Sequence, residues 1–136
     1  MFAMCLTTMR KWRVLCWNVR GLNSENRQRV VRAKIEESEC AIVCLQETKC
    51  DLFGERFIIK FCPERFDNFA YAPSVRASGG ILILWNSSIF SGRLIDTKSF
   101  GIIMEFTFVH NNATWNLVNV YGPCKWVERD NFVSWL

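Results

Sequence analysis

Cys40-Ala41-Ile42-Val43-Cys44-Leu45, running into Gln46-Glu47-Thr48-Lys49, is the stretch on which the fold turns. A short unbroken apolar run of this kind suits a strand covered on both faces. It stops abruptly at a carboxamide and a carboxylate, so Glu47 is expected at the end of a buried strand.

Upstream, residues 12–17 form a second short run with Val14 and Leu15 at its centre. It ends in Trp17-Asn18-Val19-Arg20-Gly21, where glycine permits a sharp turn. Between the two runs, Val30, Val31 and Ile35 recur at helical spacing among Arg27, Arg29, Arg32, Lys34, Glu36 and Glu37, and Asn23 or Ser24 is placed to cap the segment. The pattern predicts an amphipathic helix. A strand, helix, strand unit is nearly always a right-handed crossover between parallel strands, which puts both carboxyl ends on one sheet edge. Asn18 and Glu47 should therefore emerge side by side, at the edge where open α/β sheets bind ligands.

Downstream, 51–65 reads as irregular, with Cys62-Pro63 breaking any long element, and 69–72 as a short strand. Ser78-Gly79-Gly80 introduces the apolar run Ile81-Leu82-Ile83-Leu84-Trp85, closed by the turn residues Asn86-Ser87-Ser88. Residues 93–98 look like an edge strand. In 102–109, Met104, Phe106 and Phe108 alternate onto one face, and 115–121 answers as an antiparallel partner across a turn at 110–113. Residues 126–136 have the pattern of a helix.

A chain of 136 residues, half of them hydrophobic, is long enough for one domain with a real core. Its net charge of +4 is spread along the chain and says little about a polyanionic partner. Seven cysteines with no Cys-x-x-Cys, beside a single histidine, argue against a zinc module and for thiols used as small core residues. No secretory leader is recognised in the first residues, and no run reaches the roughly 18 to 20 apolar residues of a membrane span. The expected setting is intracellular and reducing, without a membrane partner.

Four motifs occur in order: Trp17-Asn18-Val19-Arg20-Gly21, Cys44-Leu45-Gln46-Glu47-Thr48-Lys49, Ser78-Gly79-Gly80 before an apolar strand, and Val118-Asn119-Val120-Tyr121-Gly122-Pro123. In order and spacing they resemble the endonuclease/exonuclease/phosphatase superfamily, and within it the apurinic-endonuclease-like domain of plant non-LTR (LINE-type) retrotransposons. The resemblance divides the chain into an N-terminal extension, 1–11, and a truncated domain, 12–136. It implies an α/β fold, the N-terminal half of a four-layer α/β sandwich in which a mixed sheet carries flanking helices. It also implies hydrolysis of a phosphodiester in DNA with Mg²⁺ or Mn²⁺, and hence a nuclear setting. Carried over by motif, Glu47 binds the metal, Asn18 helps position metal and phosphate, and Tyr121 contacts the phosphate. A hard cation that takes one or two carboxylates and keeps waters is consistent with those roles.

Each residue also has a plainer reading. Glu47 is otherwise a strand-end acid, Asn18 a turn former, Tyr121 a half-buried strand aromatic, Gly79-Gly80 a turn, and Arg20, Lys49 and Arg76 solvated charges instead of contacts to a DNA backbone. Two departures from the family pattern bear on activity. Arg20 stands where some members have a metal-site aspartate, as in the plant retrotransposon branch, and the later Gly-Asp-x-Asn and Ser-Asp-His segments do not occur. His110 sits in a turn and cannot replace the missing base, which must lie within hydrogen-bond reach of its water. The expectation is an inactive chain, a non-catalytic retrotransposon remnant or a small nucleic-acid or partner-binding module. Half a sandwich should also leave the Met104, Phe106 and Phe108 face uncovered, giving self-association through that face.

Overall fold

The computed structural model describes residues 3–5 and 12–121, the first three as backbone. Residues 126–136, read as a helix, lie outside the described residues.

Strand β1 (Ala3–Cys5) falls within the stretch read as an N-terminal extension. It is followed by β2 (Val14–Asn18), helix α1 (Glu25–Ser38), β3 (Ile42–Gln46), the short helix α2 (Glu55–Ile58) and β4 (Asn68–Ala72). Strands β5 (Ile81–Trp85), β6 (Phe90–Lys98), β7 (Gly101–Phe108) and β8 (Thr114–Tyr121) complete the order. They form two sheets, β2-β3-β5-β4 and β1-β8-β7-β6. The first is mixed: β2 and β3 are parallel across the α1 crossover, while β3 with β5 and β4 with β5 are antiparallel. The second is antiparallel throughout. The α/β class read from the sequence is the one observed.

Helix α1 begins at Ser24, whose side chain accepts from the Arg27 N–H at 3.2 Å, and ends at Glu39 in the left-handed conformation, φ 52°. Gln28, Val31 and Ile35 are buried, whereas Val30 is half exposed. Successive helical residues diverge by about 100°, so Val30 cannot share the inward stripe that 28, 31 and 35 define. Arg32 Nη1 holds the chain around α2 by donating to the carbonyls of Ile59 and Cys62 at 2.9 and 3.0 Å. The irregular segment thus contains one helical turn that the sequence pattern did not reveal.

Strands β3 and β5 are buried along their whole length. Alternate residues serve two cores. Val43, Leu45, Leu82 and Leu84 pack towards α1 and the 50–66 segment, with Val31, Ile35, Phe53, Phe61 and Phe66. Ile42, Cys44, Ile81, Ile83 and Trp85 face the second sheet and meet Phe90, Ile102, Met104, Phe106, Trp115 and Leu117. There the aromatic rings lie edge to face, Trp85 against Phe106 at 5.3 Å and Phe90 against Trp115 at 5.7 Å.

This corrects the expectation of an uncovered face. Met104 and Phe106 are 1% and 0% exposed and Phe108 packs against the same core, because the chain supplies both sheets of the sandwich and each covers the other. Met104 and Phe106 offer no exposed surface for self-association, and Phe108 is half-buried.

Two measurements check this packing. A Cβ at Gly92 would lie 2.6 Å from Trp85 Cζ2 and 3.1 Å from Phe106 Cε1, against rigid rings that cannot swing away. Gly92→Ala is therefore expected to lower stability by about 1–3 kcal/mol in a urea titration. Burial, with Cys40 nearby, pushes the Cys62 thiol up from 9.0 to about 12, and burial raises Cys40 and Cys50 as well. The unfolded chain loses these protons first, so the Cys62 contribution is intact below pH 9 and is lost as pH rises towards 12, with Cys40 and Cys50 acting in the same direction. The expected slope from Cys62 is about 1.4 kcal/mol per pH unit. Thermal melts from pH 8 to 11 should show the fall, and Cys62→Ala should fall less steeply.

Candidate active site

Strands β2 and β3 run side by side with Asn18 opposite Gln46, and their pairing continues beyond the strand ends. Val19 N–H donates to the Gln46 carbonyl at 3.0 Å, Gly21 N–H to Glu47 at 2.8 Å and Leu22 N–H to Thr48 at 3.0 Å. On the other flank, Thr48 and Lys49 N–H donate to the carbonyls of Gly80 and Gly79 at 3.1 and 2.8 Å. Asn23 adds a side-chain tie, its Nδ2 donating to the Lys49 carbonyl at 3.1 Å. Three loops are thereby laced into one edge.

The backbone at this edge is unusual. Arg20, Glu47 and Lys49 all adopt left-handed conformations, φ 55°, 55° and 57°. Such residues each cost of the order of 1–3 kcal/mol unless the surroundings impose them, and they gather at functional sites. Here the flanking hydrogen bonds impose them. At Glu47 the turn ends the strict in-out alternation of β3, so its side chain need not follow either core. Asn18 accepts the Arg20 N–H at its Oδ1, 3.2 Å away, which fixes the turn out of β2.

Asn18 shares the sheet-to-sheet face with its register partner Gln46. Gln46 and Asn119 are both wholly buried, and Gln46 Nε2 donates to Asn119 Oδ1 at 2.6 Å. Asn119 Nδ2 in turn donates to the carbonyls of Leu82 and Leu45, at 3.2 and 3.5 Å. Strand β8 is thus bonded to the end of β3 across the sandwich. Tyr121, two residues beyond Asn119 on the same face, packs against the inter-sheet core. The three residues singled out in the sequence, Asn18, Glu47 and Tyr121, therefore converge on one end of the sandwich.

His110 does not join them. It lies in the exposed β7–β8 turn with its ring 5.2 Å from Phe108, which packs on Trp12 ahead of β2. That is the opposite end of β8 from Tyr121. The site also contains two residues whose part sequence reasoning missed, Gln46 and Asn119. A signal existed: each is a polar residue at an inward position of an otherwise apolar alternation, where an unpaired carboxamide would be penalised.

Glu47 Oε2 is buried and has no hydrogen-bond partner. An ionised carboxylate oxygen can only accept, so this atom calls for a donor or a cation. Among the described residues no three His, Cys, Asp or Glu gather as a cluster. The donor set is instead one carboxylate with neighbouring carboxamides, hard oxygen ligands that fit a cation retaining most of its waters, as Mg²⁺ does. Soft or thiolate-bound metals are not matched by these groups.

A sandwich of one mixed and one antiparallel sheet with a helical crossover defines a fold class, and known proteins share it. Residues 15–133 match the endonuclease/exonuclease/phosphatase family, and the chain belongs to that family, whose members generally depend on divalent metals. In structure it is similar to the AP endonuclease LMAP from Leishmania major, with a TM-score of 0.62 and 16% identity over 94% of this chain and 44% of that one. It is also similar to the APE2 catalytic domain from Xenopus laevis, with a TM-score of 0.58 and 14% identity over 89% of this chain and 48% of that one. At such identity the likeness concerns the fold, and the chain spans less than half the length of either structure. No curated protein matches the chain in sequence.

The lacing of this edge makes a paired prediction. A Cβ at Gly80, φ 94°, would collide with Thr48 Oγ1 and press on Lys49 N at 3.3 Å, whereas at Gly79, φ 73°, it would meet nothing within 4 Å. Gly79→Ala should cost only the left-handed backbone penalty, about 1–2 kcal/mol. Gly80→Ala should cost distinctly more in the same denaturation experiment, since Thr48 is wholly buried and has nowhere to retreat.

Proposed function

We propose that this chain carries the metal- and phosphate-holding part of a phosphodiesterase site of the DNA endonuclease type. The observation that carries the reading is the unpartnered, buried Glu47 Oε2 at the end of the parallel β2–β3 pair, beside Asn18. In this reading Glu47 and Asn18 hold Mg²⁺ or Mn²⁺, and Tyr121 contacts the phosphate. A cation so held would polarise a phosphoryl oxygen and assist an attacking water. The chain's own groups do the rest. Glu47 supplies the anionic ligand, Asn18 is oriented through its turn, and Tyr121 faces the site from the second sheet. DNA as substrate is supported by the family and by the AP endonucleases that share the fold. Arg20, two residues after Asn18, supports the LINE-type retrotransposon branch as the relevant subfamily.

Hydrolysis also needs a base close to the attacking water. His110, the single histidine, stands at the far end of the sandwich and cannot serve. In this reading these residues bind metal and a DNA backbone without cutting it.

The test combines two assays on the 136-residue chain. Binding of a short DNA duplex, followed by fluorescence anisotropy, is expected to require Mg²⁺, to weaken with added salt, and to be lost in Glu47→Gln. Supercoiled plasmid with Mg²⁺ should stay intact. Salt-dependent DNA binding indifferent to both Mg²⁺ and Glu47 would instead indicate a simple binding module. Glu47-dependent conversion to nicked circles would overturn the non-catalytic part of the reading.

A further inference from the structure

Gln46 reaches the site through an unusually determinate hydrogen-bond chain. The carbonyls of Leu45 and Leu82 can only accept, so the Asn119 amide group must point its NH₂ at them. Its Oδ1 is then left to face Gln46, and Gln46 must answer with its own NH₂, which also lies 3.4 Å from the Cys44 carbonyl. The usual freedom to flip a carboxamide is removed at both residues. What remains is Gln46 Oε1, wholly buried, with no hydrogen-bond partner, on the face it shares with Asn18.

Leaving a buried acceptor unpaired costs about 1–3 kcal/mol. Two such acceptors occur on consecutive residues here, Gln46 Oε1 and Glu47 Oε2. Among the described residues, the other buried unpartnered side-chain atoms are the indole N–H groups of Trp12, Trp85 and Trp115. Those are donors, and they belong to the aromatic end of the sandwich, where Trp85 pairs with Ile42 at the start of β3. Among the described residues, the unpartnered buried atoms at the site end are thus both acceptors, a carboxylate oxygen and a carboxamide oxygen. A hydrated cation satisfies such a pair: its positive charge meets the carboxylate, and its water protons meet the carboxamide oxygen.

We propose that Gln46 is a positioning residue for a hydrated divalent cation, its Oε1 accepting a hydrogen bond from a metal-bound water while Asn119, from the second sheet, locks that oxygen in the accepting orientation. This rests on the reading of Glu47 as a metal ligand. Outer partners of this kind typically alter metal affinity ten- to a hundredfold. Because Asn119 lies two residues before Tyr121, the same chain of bonds ties the second sheet to the metal's hydration shell.

The test is Mn²⁺ affinity of the full chain, read from the free-ion electron paramagnetic resonance signal, for wild type, Glu47→Gln and Gln46→Met. The methionine keeps the side-chain length while removing both amide functions. Glu47→Gln should abolish binding, and Gln46→Met should weaken it by about tenfold or more with far-UV circular dichroism unchanged. A companion measurement on the unaltered protein follows the Gln46 side-chain NH₂ by ¹⁵N–¹H correlation during Mg²⁺ titration, where a shift saturating together with the Glu47 backbone amide is expected. That measurement decides the matter should Gln46→Met fail to fold. Binding abolished by Glu47→Gln but unchanged in Gln46→Met, or a Gln46 NH₂ signal that does not move while Glu47 does, overturns the role of Gln46 alone. Wild-type protein that binds no Mn²⁺, or binds it equally well as Glu47→Gln, overturns the metal reading of Glu47 and this inference with it.

Discussion

Burial of β3 on both faces is the constraint from which the rest of the structure follows. Each residue of Ile42–Gln46 has no solvent on either side, so its odd positions must be covered by one layer and its even positions by another. Helix α1 and the 50–66 segment supply the first cover, and the β1-β8-β7-β6 sheet supplies the second. Neither cover is optional, because exposing one face of β3 would return several wholly buried aliphatic side chains to water. Full burial of each such side chain contributes about 1.5–3 kcal/mol. The layered order is thus dictated from the centre outward.

The same constraint locates the site. Inside the sandwich β3 pairs with β2 along one edge and with β5 along the other, and a polar side chain there must find a partner in an apolar setting. At the strand's end the sheets no longer enclose it completely, yet the flanking loops 19–22 and 78–80 still bond to its backbone. Such an edge holds polar side chains rigidly without immersing them in bulk water. Three left-handed non-glycine residues are sustained there by backbone hydrogen bonds on both flanks, which couples the fold's stability to the shape of the edge.

Much of this was legible in the sequence, for identifiable reasons. The crossover and the adjacency of Asn18 to Glu47 followed from two apolar runs flanking one amphipathic segment, a pattern with few topological solutions. The β7–β8 hairpin and the solvent position of His110 followed from alternation interrupted by turn residues. Other features depended on contacts between distant parts of the chain. Strand β1 owes its existence to pairing with β8, its register joining Ala3 to Tyr121, and three residues carry no periodic signal of their own. The cover over Met104 and Phe106 was misjudged because alternation shows that a face is apolar without showing what lies upon it. The polar bridge between Gln46 and Asn119 spans 73 residues, so no local pattern could join them. Their inward polar positions were the only trace.

Charge at the site edge bears on how the proposed ligands would bind. Glu47 is one carboxylate, and the neighbouring turns bring in Arg20 and Lys49, the Lys49 stem passing over Gly21 with its Cδ 3.6 Å from where a Cβ there would stand. Both cations are exposed, so water and salt screen them, but their sign opposes a divalent ion held by a single acid. A phosphodiester reverses the balance, since its negative oxygens are attracted by the metal, Arg20 and Lys49 together. Metal and polyanion would then each strengthen the binding of the other, and linkage requires that coupling to be reciprocal. A family member with an aspartate in place of Arg20 would hold the cation more firmly before substrate arrives. With arginine there instead, the proposed site would favour metal and nucleic acid arriving as co-ligands.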